Sequence, residues 1–271
     1  MMQEVGTGMS TSIPVQWNLK LLGYWRLERE HQPVTVAFRQ QRLIAALALR
    51  GGRRRSYIAG LLWPDRTDAQ ASGSLRACLW NIAHQLPGLL QPASDPLALA
   101  PGIVIDVDEL LARVDRVNRT GLLDVGALVR EGLAGDLQTA DLLPGWDEDW
   151  LRVDQDRLFR QRLAALEDLA NAYLAQGQLS PALDAATAAV ALDPLLESVQ
   201  RTLLRIHLAA GNHGSAIRSY RTYLTTLNRE CGVRPSTRIT DLIRPLLQAQ
   251  EPTVRAEPAP TFSAILHPSF E

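Results

Sequence analysis

The sequence predicts an α+β unit followed by an all-α array of paired helices, and three observations predict it. Short runs alternating apolar and polar residues are confined to positions 15–37, and helical spacing takes over afterwards. Leu174-Ala175-Gln176-Gly177 returns 34 residues later as Leu208-Ala209-Ala210-Gly211, and Ala182 returns as Ala216 at the same offset. Charge is segregated beneath a net charge of −1: residues 14–87 carry 11 Lys and Arg against 4 Asp and Glu, and residues 88–160 carry 7 against 14.

The alternating segments come first. Val15-Gln16-Trp17-Asn18-Leu19-Lys20-Leu21 reads as a strand stopped by Gly23; Trp25-Arg26-Leu27 and Val34-Thr35-Val36 read as two more, with His31-Gln32-Pro33 as the turn between them. From Phe38 to Arg50 the apolar residues fall on one helical stripe, closed by Gly51-Gly52. Ser56 reads as the N-cap of a helix over Tyr57–Trp63, and a polar loop from Pro64 to Asp68 leads into a long helix from Ala69 to Leu86. At 100° per residue, Leu75, Leu79, Ile82 and Leu86 form that helix's inward seam, which leaves Gln70, Gly73, Ser74, Ala77, Trp80, Asn81 and His84 outside with Arg76 on the flank. Ala98–Pro101 and Gly102–Val107 read as a hairpin around Pro101-Gly102. Strands, three helices and a terminal hairpin in that order make a winged-helix layout.

An amide, a hydroxyl and a guanidinium on an outward helix face suit base edges in a major groove, and Arg53-Arg54-Arg55 between the first two helices suits phosphate. A solvated helix face and a solvated charge run are the alternative readings. Only Lys20 is a lysine, so nearly all the positive charge is guanidinium, whose planar fork matches phosphates and base edges.

In the second half, Asp106–Val117 and Val125–Leu133 read as short helices, and Asp147-Glu148-Asp149 opens a long helix from Glu148 to Gln176. Acids at a helix start interact favourably with its dipole; an acidic docking patch is the alternative. Trp146 and Trp150, four apart, are expected to share one side of that helix. The 34-residue period is the tetratricopeptide one: each helix pair must stack on its neighbours to bury its apolar face, and the stack leaves a concave binding surface. Tyr173, Gly177, Ala182, Ala189 and Pro194 mark the first repeat, and His207, Gly211, Ala216, Tyr220 and Tyr223 the second. His207 takes an aromatic core position and is expected to be packed and hydrogen-bonded. A helix over Thr237–Leu247 caps the array.

Ordered landmarks run through both halves. Leu21-Leu22-Gly23, Arg39-Gln40-Gln41-Arg42-Leu43, Leu62-Trp63-Pro64-Asp65, Ser74-Leu75-Arg76 with Leu79-Trp80, and Leu99-Ala100-Pro101-Gly102 with Asp106-Val107-Asp108 resemble the actinobacterial antibiotic regulatory proteins, the SARP family. Leu142-Leu143-Pro144-Gly145-Trp146 with Asp149-Trp150, Ala191-Leu192-Asp193-Pro194, and Gly232-Val233-Arg234-Pro235-Ser236 resemble the bacterial transcriptional activator domain that those regulators carry. The resemblance implies an α+β N-terminal winged helix of the OmpR type over 15–108 and an all-α tetratricopeptide-like helical repeat domain over 109–248, between a disordered arm at 1–14 and a disordered tail at 249–271.

It also implies double-stranded promoter DNA, RNA polymerase holoenzyme and a second protomer as partners, and control of a secondary-metabolite cluster as the role. The candidate DNA contacts are then Gln70, Ser74, Arg76, Ala77, Asn81 and His84 on the long helix, Arg53, Arg54 and Arg55 in the basic turn, and Arg39 and Arg42 heading the first helix; Pro64, Asp65, Arg66 and Asp68 are the polymerase-facing candidates. Family members usually place several arginines after the Leu-Trp pair, where this chain has Asn81-Ile82-Ala83-His84. An adaptor whose winged helix has lost strong DNA contact is therefore the second reading.

Other functions find no support. The phosphate-loop, dinucleotide, zincin and nucleophile-elbow motifs are absent, so no catalytic residue, cofactor or metal is expected. Cys78 and Cys231 form no C-x-x-C pair, which fits a reducing compartment. Met1–Ser12 lacks the features of a signal peptide, and no apolar run approaches the ~20 residues of a membrane span, so the expected location is the cytoplasm.

Overall fold

The computed structural model describes residues 16–92, 95–120 and 132–250. The arm, the tail beyond Gln250 and nearly all of the helix expected over Val125–Leu133 lie outside the described residues.

Strands β1 (Trp17–Lys20), β2 (Arg26–Arg29), β3 (Gln32–Val34) and β4 (Val104–Ile105) form one four-stranded sheet in the order β3-β2-β1-β4. Alternation along β1 buries Trp17 and Leu19, and Leu19 faces Leu27 across the antiparallel pair with β2. The turn is Glu30-His31, both at positive φ as a tight two-residue hairpin turn requires, and not His31-Gln32-Pro33. Gln32 and Pro33 pair with Arg29 and Glu28 instead. Proline is tolerated there because β3 is an edge strand, where its missing N–H breaks no ladder.

Helices α1 (Phe38–Arg50), α2 (Arg55–Leu62) and α3 (Asp68–Gln85) pack on the sheet. Helix α1 ends at Gly51, whose φ of 66° suits a residue without Cβ. Arg54, not Ser56, occupies the N-cap of α2, and Ser56 lies inside its first turn. Thr67 caps α3: its Oγ1 accepts from Gln70 N while Gln70 Oε1 accepts from Thr67 N, a reciprocal capping box.

The hairpin expected around Pro101-Gly102 forms elsewhere. Leu99 bridges Leu90, Gln91 N donates to Ala98 O and Ala100 N to Leu89 O, so the wing runs from Leu89 to Ala100. Beyond Gly102, β4 pairs in parallel with β1 and closes the sheet edge. Residues 97–100 take their partners from Arg53 and Leu89–Gln91, and Val104 and Ile105 pair with β1.

The helical half comprises α4 (Asp106–Thr120), α5 (Leu133–Thr139), α6 (Asp149–Ala175), α7 (Leu179–Leu192), α8 (Glu197–Ala209), α9 (His213–Cys231) and α10 (Thr237–Gln250) among the described residues. The repeat is explicit in the backbone: Gln178 N donates to Tyr173 O at 2.9 Å, and 34 residues on Asn212 N donates to His207 O at 2.8 Å. Gly177 and Gly211 sit inside these paired turns at φ 70° and 68°. Ala182, Ala185, Ala186 and Ala189 are buried along α7, and such small side chains let helices approach closely. Helix α10 caps the array by placing Ile239 and Ile243 on Ala216, Tyr220, Tyr223 and Leu227.

The two halves are not separate bodies. Leu142, Leu143, Trp150, Leu151 and Leu158 belong to the same apolar cluster as the sheet and α1–α3. Asp106, the first residue of α4, accepts from the backbone N–H groups of Leu21 and Leu22, which links the end of β1 to the helical half. Burial raises the Asp106 pKa against the opposing pull of those hydrogen bonds. Buried Arg162 on α6 binds the carbonyls of Leu137 and Gln138 and the Asp141 carboxylate, which holds α5 and the loop after it against α6.

Two expectations about the junction are corrected. Trp146 precedes α6 and shares no helix face with Trp150; it stacks on Trp25 at 6.1 Å and meets Phe38 edge-on at 5.0 Å. Glu148 lies at the N-cap of α6 but makes no cap hydrogen bond; its carboxylate goes to Arg42 and to Trp150 Nε1. Of the acidic trio only Asp149 stands in the helix's first turn, so for Glu148 docking outweighs the dipole.

Candidate nucleic-acid interface

Helix α3 carries the candidate face, and its orientation follows from what it buries. Ala71, Leu75, Cys78 and Ile82 point into the core, with Leu79 partly covered, so the inward seam is as expected with Ala71 and Cys78 added. Gln70, Arg76, Ala77, Trp80 and His84 are exposed. Ser74 and Asn81 are half-buried, on the side of the helix that also carries Cys78 and Gln85. Those two residues touch α1, through Cys78 Sγ to Arg39 O and Gln40 Nε2 to Gln85 Oε1. The central line of the open face is therefore Gly73, Ala77, Trp80 and His84, with Ser74 and Asn81 at its edge.

The basic turn lies beside this face because the wing holds it there. Arg53 and Leu97 exchange two backbone hydrogen bonds, at 3.0 and 2.8 Å. Arg53, Arg54 and Arg55 are all exposed, and with Asp95 and Pro96 they border an open hollow of about 750 Å³. Arg55 also joins Arg76, Leu79, Ala83 and Leu97 around a cleft of about 520 Å³ between α3 and the wing. Among the described residues neither Arg55 nor Arg76 has an ion pair. One surface thus brings together α3, the start of α2 and the wing.

The remaining candidates separate. Arg39 is exposed at the head of α1. Arg42 is turned away from this surface: its Nη2 donates to Leu62 O at 2.8 Å and to Glu148 Oε2 at 2.7 Å, and its Nε lies 2.7 Å from Glu148 Oε1. A guanidinium held on three oxygens at the junction is not available to phosphate, which removes Arg42 from the candidate set. Pro64, Asp65, Arg66 and Asp68 are exposed, and Arg66 Nη1 donates to Ser74 Oγ at 3.2 Å, so this loop reaches α3.

Trp80 is absent from the candidate set drawn from the sequence, although its helical angle placed it on the outer face. It is 62% exposed, and its ring packs on His84 with centroids 4.0 Å apart. An aromatic residue in a Leu-Trp pair defaults to the core, and only the angle separates it from Leu79. The ion pair of Arg50 with Asp154, described below, has no local sequence signal because its partners are 104 residues apart.

The same architecture, a winged helix joined through a shared core to a tetratricopeptide-like array, occurs in known proteins. Residues 126–247 match the bacterial transcriptional activator domain. The regulatory protein AfsR of Streptomyces coelicolor is 28% identical over 261 residues, covering 92% of this chain but only 26% of AfsR. A structure of Mycobacterium tuberculosis EmbR in complex with a low affinity phosphopeptide superposes with a TM-score of 0.67 at 19% identity, covering 88% of this chain and 66% of that one, and shows the shared fold. Residues 126–247 therefore carry a bacterial transcriptional activator domain, and the chain as a whole is similar to SARP-type regulators, with an N-terminal winged helix ahead of that domain. It spans about a quarter of the length of AfsR. No helix among the described residues is long and apolar enough to cross a membrane.

Proposed function

We propose that the chain is a sequence-specific transcriptional activator that binds direct repeats in promoter DNA and recruits RNA polymerase holoenzyme, acting in the cytoplasm on a secondary-metabolite gene cluster and without enzymatic activity. Residues 15–108 form the DNA-binding unit in this reading, and 109–248 the repeat unit behind it. One observation carries the proposal: α3 has an open outer face, and the Arg53–Arg55 turn is hydrogen-bonded to the wing beside it. The helix has 18 residues, roughly 27 Å at 1.5 Å each, enough to cross a major groove about 12 Å wide.

Gln70, Ala77 and His84, with Ser74 and Asn81 at the edge, meet base edges. Arg53, Arg54, Arg55, Arg76 and Arg39 meet phosphates, which position the helix without reading sequence. Pro64, Asp65, Arg66 and Asp68, in the loop that leads into α3, face polymerase, with Arg66 also held on Ser74 Oγ. Two protomers in tandem place their α3 helices about one or two turns of DNA apart.

The test is equilibrium binding of the full chain to fragments from upstream of its own gene and neighbouring operons, against random DNA, at several salt concentrations. Promoter fragments are expected to bind more tightly. Replacing Arg53, Arg54 and Arg55 together by Ala is expected to lower the slope of log K against log salt by nearly three, at about 0.9 per phosphate contact. Equal affinity for promoter and random DNA overturns the specificity claim. Binding that appears only when another regulator is added favours the adaptor reading instead.

A further inference from the structure

We infer that Trp80, with His84 stacked on it, reads thymine: the exposed indole docks on pyrimidine 5-methyl groups in the major groove and takes over recognition on a face with few cations. This rests on the DNA-binding reading above and says what that face recognises.

Of the tryptophans, Trp17, Trp63 and Trp150 are buried and Trp25 and Trp146 pack on each other, whereas Trp80 is 62% exposed. At 100° per residue it lies about 150° around α3 from the seam of Leu75 and Ile82, and His84 about 170°. Both therefore stand at the crest of the face a groove would meet. One exposed apolar ring is ordinary on a protein surface; what distinguishes Trp80 is its place at the centre of the open face beside the basic turn.

The ring is also held in place. His84 Nδ1 lies 2.8 Å from the Trp80 carbonyl, which orients the imidazole against the indole. A paired, pre-positioned aromatic loses less side-chain freedom on docking than a lone one. Ala77 and Gly73, one and two turns before it, are small, so the helix approaches the groove floor on that side without obstruction.

The chemistry of the surroundings selects the ligand. Arg76 is the only arginine or lysine within α3, and the positive charge beside it belongs to Arg53–Arg55 at the rim. Such a surface is held to the phosphates at its edge and is apolar at its centre. The apolar feature that a major groove offers is the thymine methyl group, which the other bases lack.

The experiment begins by selecting tight-binding duplexes from a random-sequence pool with the full chain. Each thymine in the selected site is then replaced singly by deoxyuridine, which removes only the methyl group. One or two positions are expected to lose about fourfold in affinity each, the worth of burying one carbon. Trp80→Ala is expected to bind more weakly and to lose that sensitivity while keeping the salt slope, and Trp80→Phe to retain part of it; circular dichroism confirms that both variants fold. The inference is overturned if the unaltered chain is indifferent to uridine at every position, or if Trp80→Ala remains as sensitive, even though specific binding stands. A chain that enriches no sequence overturns it together with the DNA-binding reading.

Discussion

Removing one guanidinium tests whether the two halves act as a single body. Arg50, the last residue of α1, donates through Nη2 to Trp150 O at 2.7 Å and Asp154 Oδ2 at 2.9 Å, and through Nη1 to the Tyr57 hydroxyl at 3.2 Å. The Asp154 side chain is only 7% exposed. In Arg50→Ala its carboxylate keeps Arg157 alone, at 3.7 Å and on a side chain 58% exposed. Truncating one partner of a buried pair costs about 3–5 kcal/mol, because a charge is left without its counterpart. Arg50 retains 21% exposure and Arg157 remains, so the lower end, about 3 kcal/mol, applies. At roughly 2–4 °C per kcal/mol for a chain of this size, Tm falls by about 6–12 °C. Thermal unfolding followed by circular dichroism and tryptophan fluorescence measures it. Arg50→Met combined with Asp154→Leu is expected to recover most of the loss, since the pair is then absent rather than broken. A fall under about 2 °C, or separate transitions for the two probes in the unaltered chain, refutes the shared-core reasoning.

Two further outcomes follow from buried titratable groups. Burial pushes the Cys78 thiol up to about 11, whereas Cys231 is exposed. At pH 8 an aromatic disulfide reagent should therefore titrate one thiol rapidly and the second only in denaturant, and rapid loss of both contradicts the burial of α3 on α1. His207 is half-buried, with its Nδ1 lacking a hydrogen-bond partner among the described residues; it is packed as expected, but that nitrogen is not hydrogen-bonded. Burial first, and the Arg218 charge second, lower its pKa. The unfolded chain then binds the proton more readily, so stability is full above the ordinary histidine pKa near 6.5 and declines as pH falls below it. Replacing His207 with Phe should flatten that part of the profile, and an unchanged acid limb would show that other groups set it.

The periodic parts of the fold were legible because they are local. The seam of Leu75 and Ile82 fixed which side of α3 faces out, and the 34-residue echo located two helix pairs whose turns share the same backbone hydrogen bonds. Pairing partners were not legible. Residues 98–107 contain the pattern of a hairpin, but their strand partners are Leu90 upstream and Asn18 and Leu19 near the start of the chain, and no local rule weighs those alternatives. The Glu30-His31 turn is hidden for a related reason: Glu30 is not a usual positive-φ residue, while Pro33 is a strong turn signal that an edge strand tolerates. Arg42 and Arg53 are alike in sequence, and only the fold turns one to Glu148 and the other outward.

That divergence accounts for the charge segregation. The basic first unit and the acidic stretch after it meet at the junction, where Glu148 pairs with Arg42 and Asp154 with Arg50. Opposite charge on the two segments therefore serves docking, without any outside partner. It does not absorb the surplus, because Arg39, Arg53, Arg54, Arg55 and Arg76 have no carboxylate partner among the described residues. All five lie on α1–α3 or the turn between α1 and α2, and four of them border the cavities between α3, α2 and the wing. Pairing at the junction thus neutralises Arg42 and Arg50, and the guanidinium groups of Arg53, Arg54, Arg55 and Arg76 remain beside the face that α3 presents. A protein nearly neutral overall in this way gathers unpaired guanidinium groups beside the helix face that is sterically open, and clustered charge of one sign is what draws an oppositely charged partner.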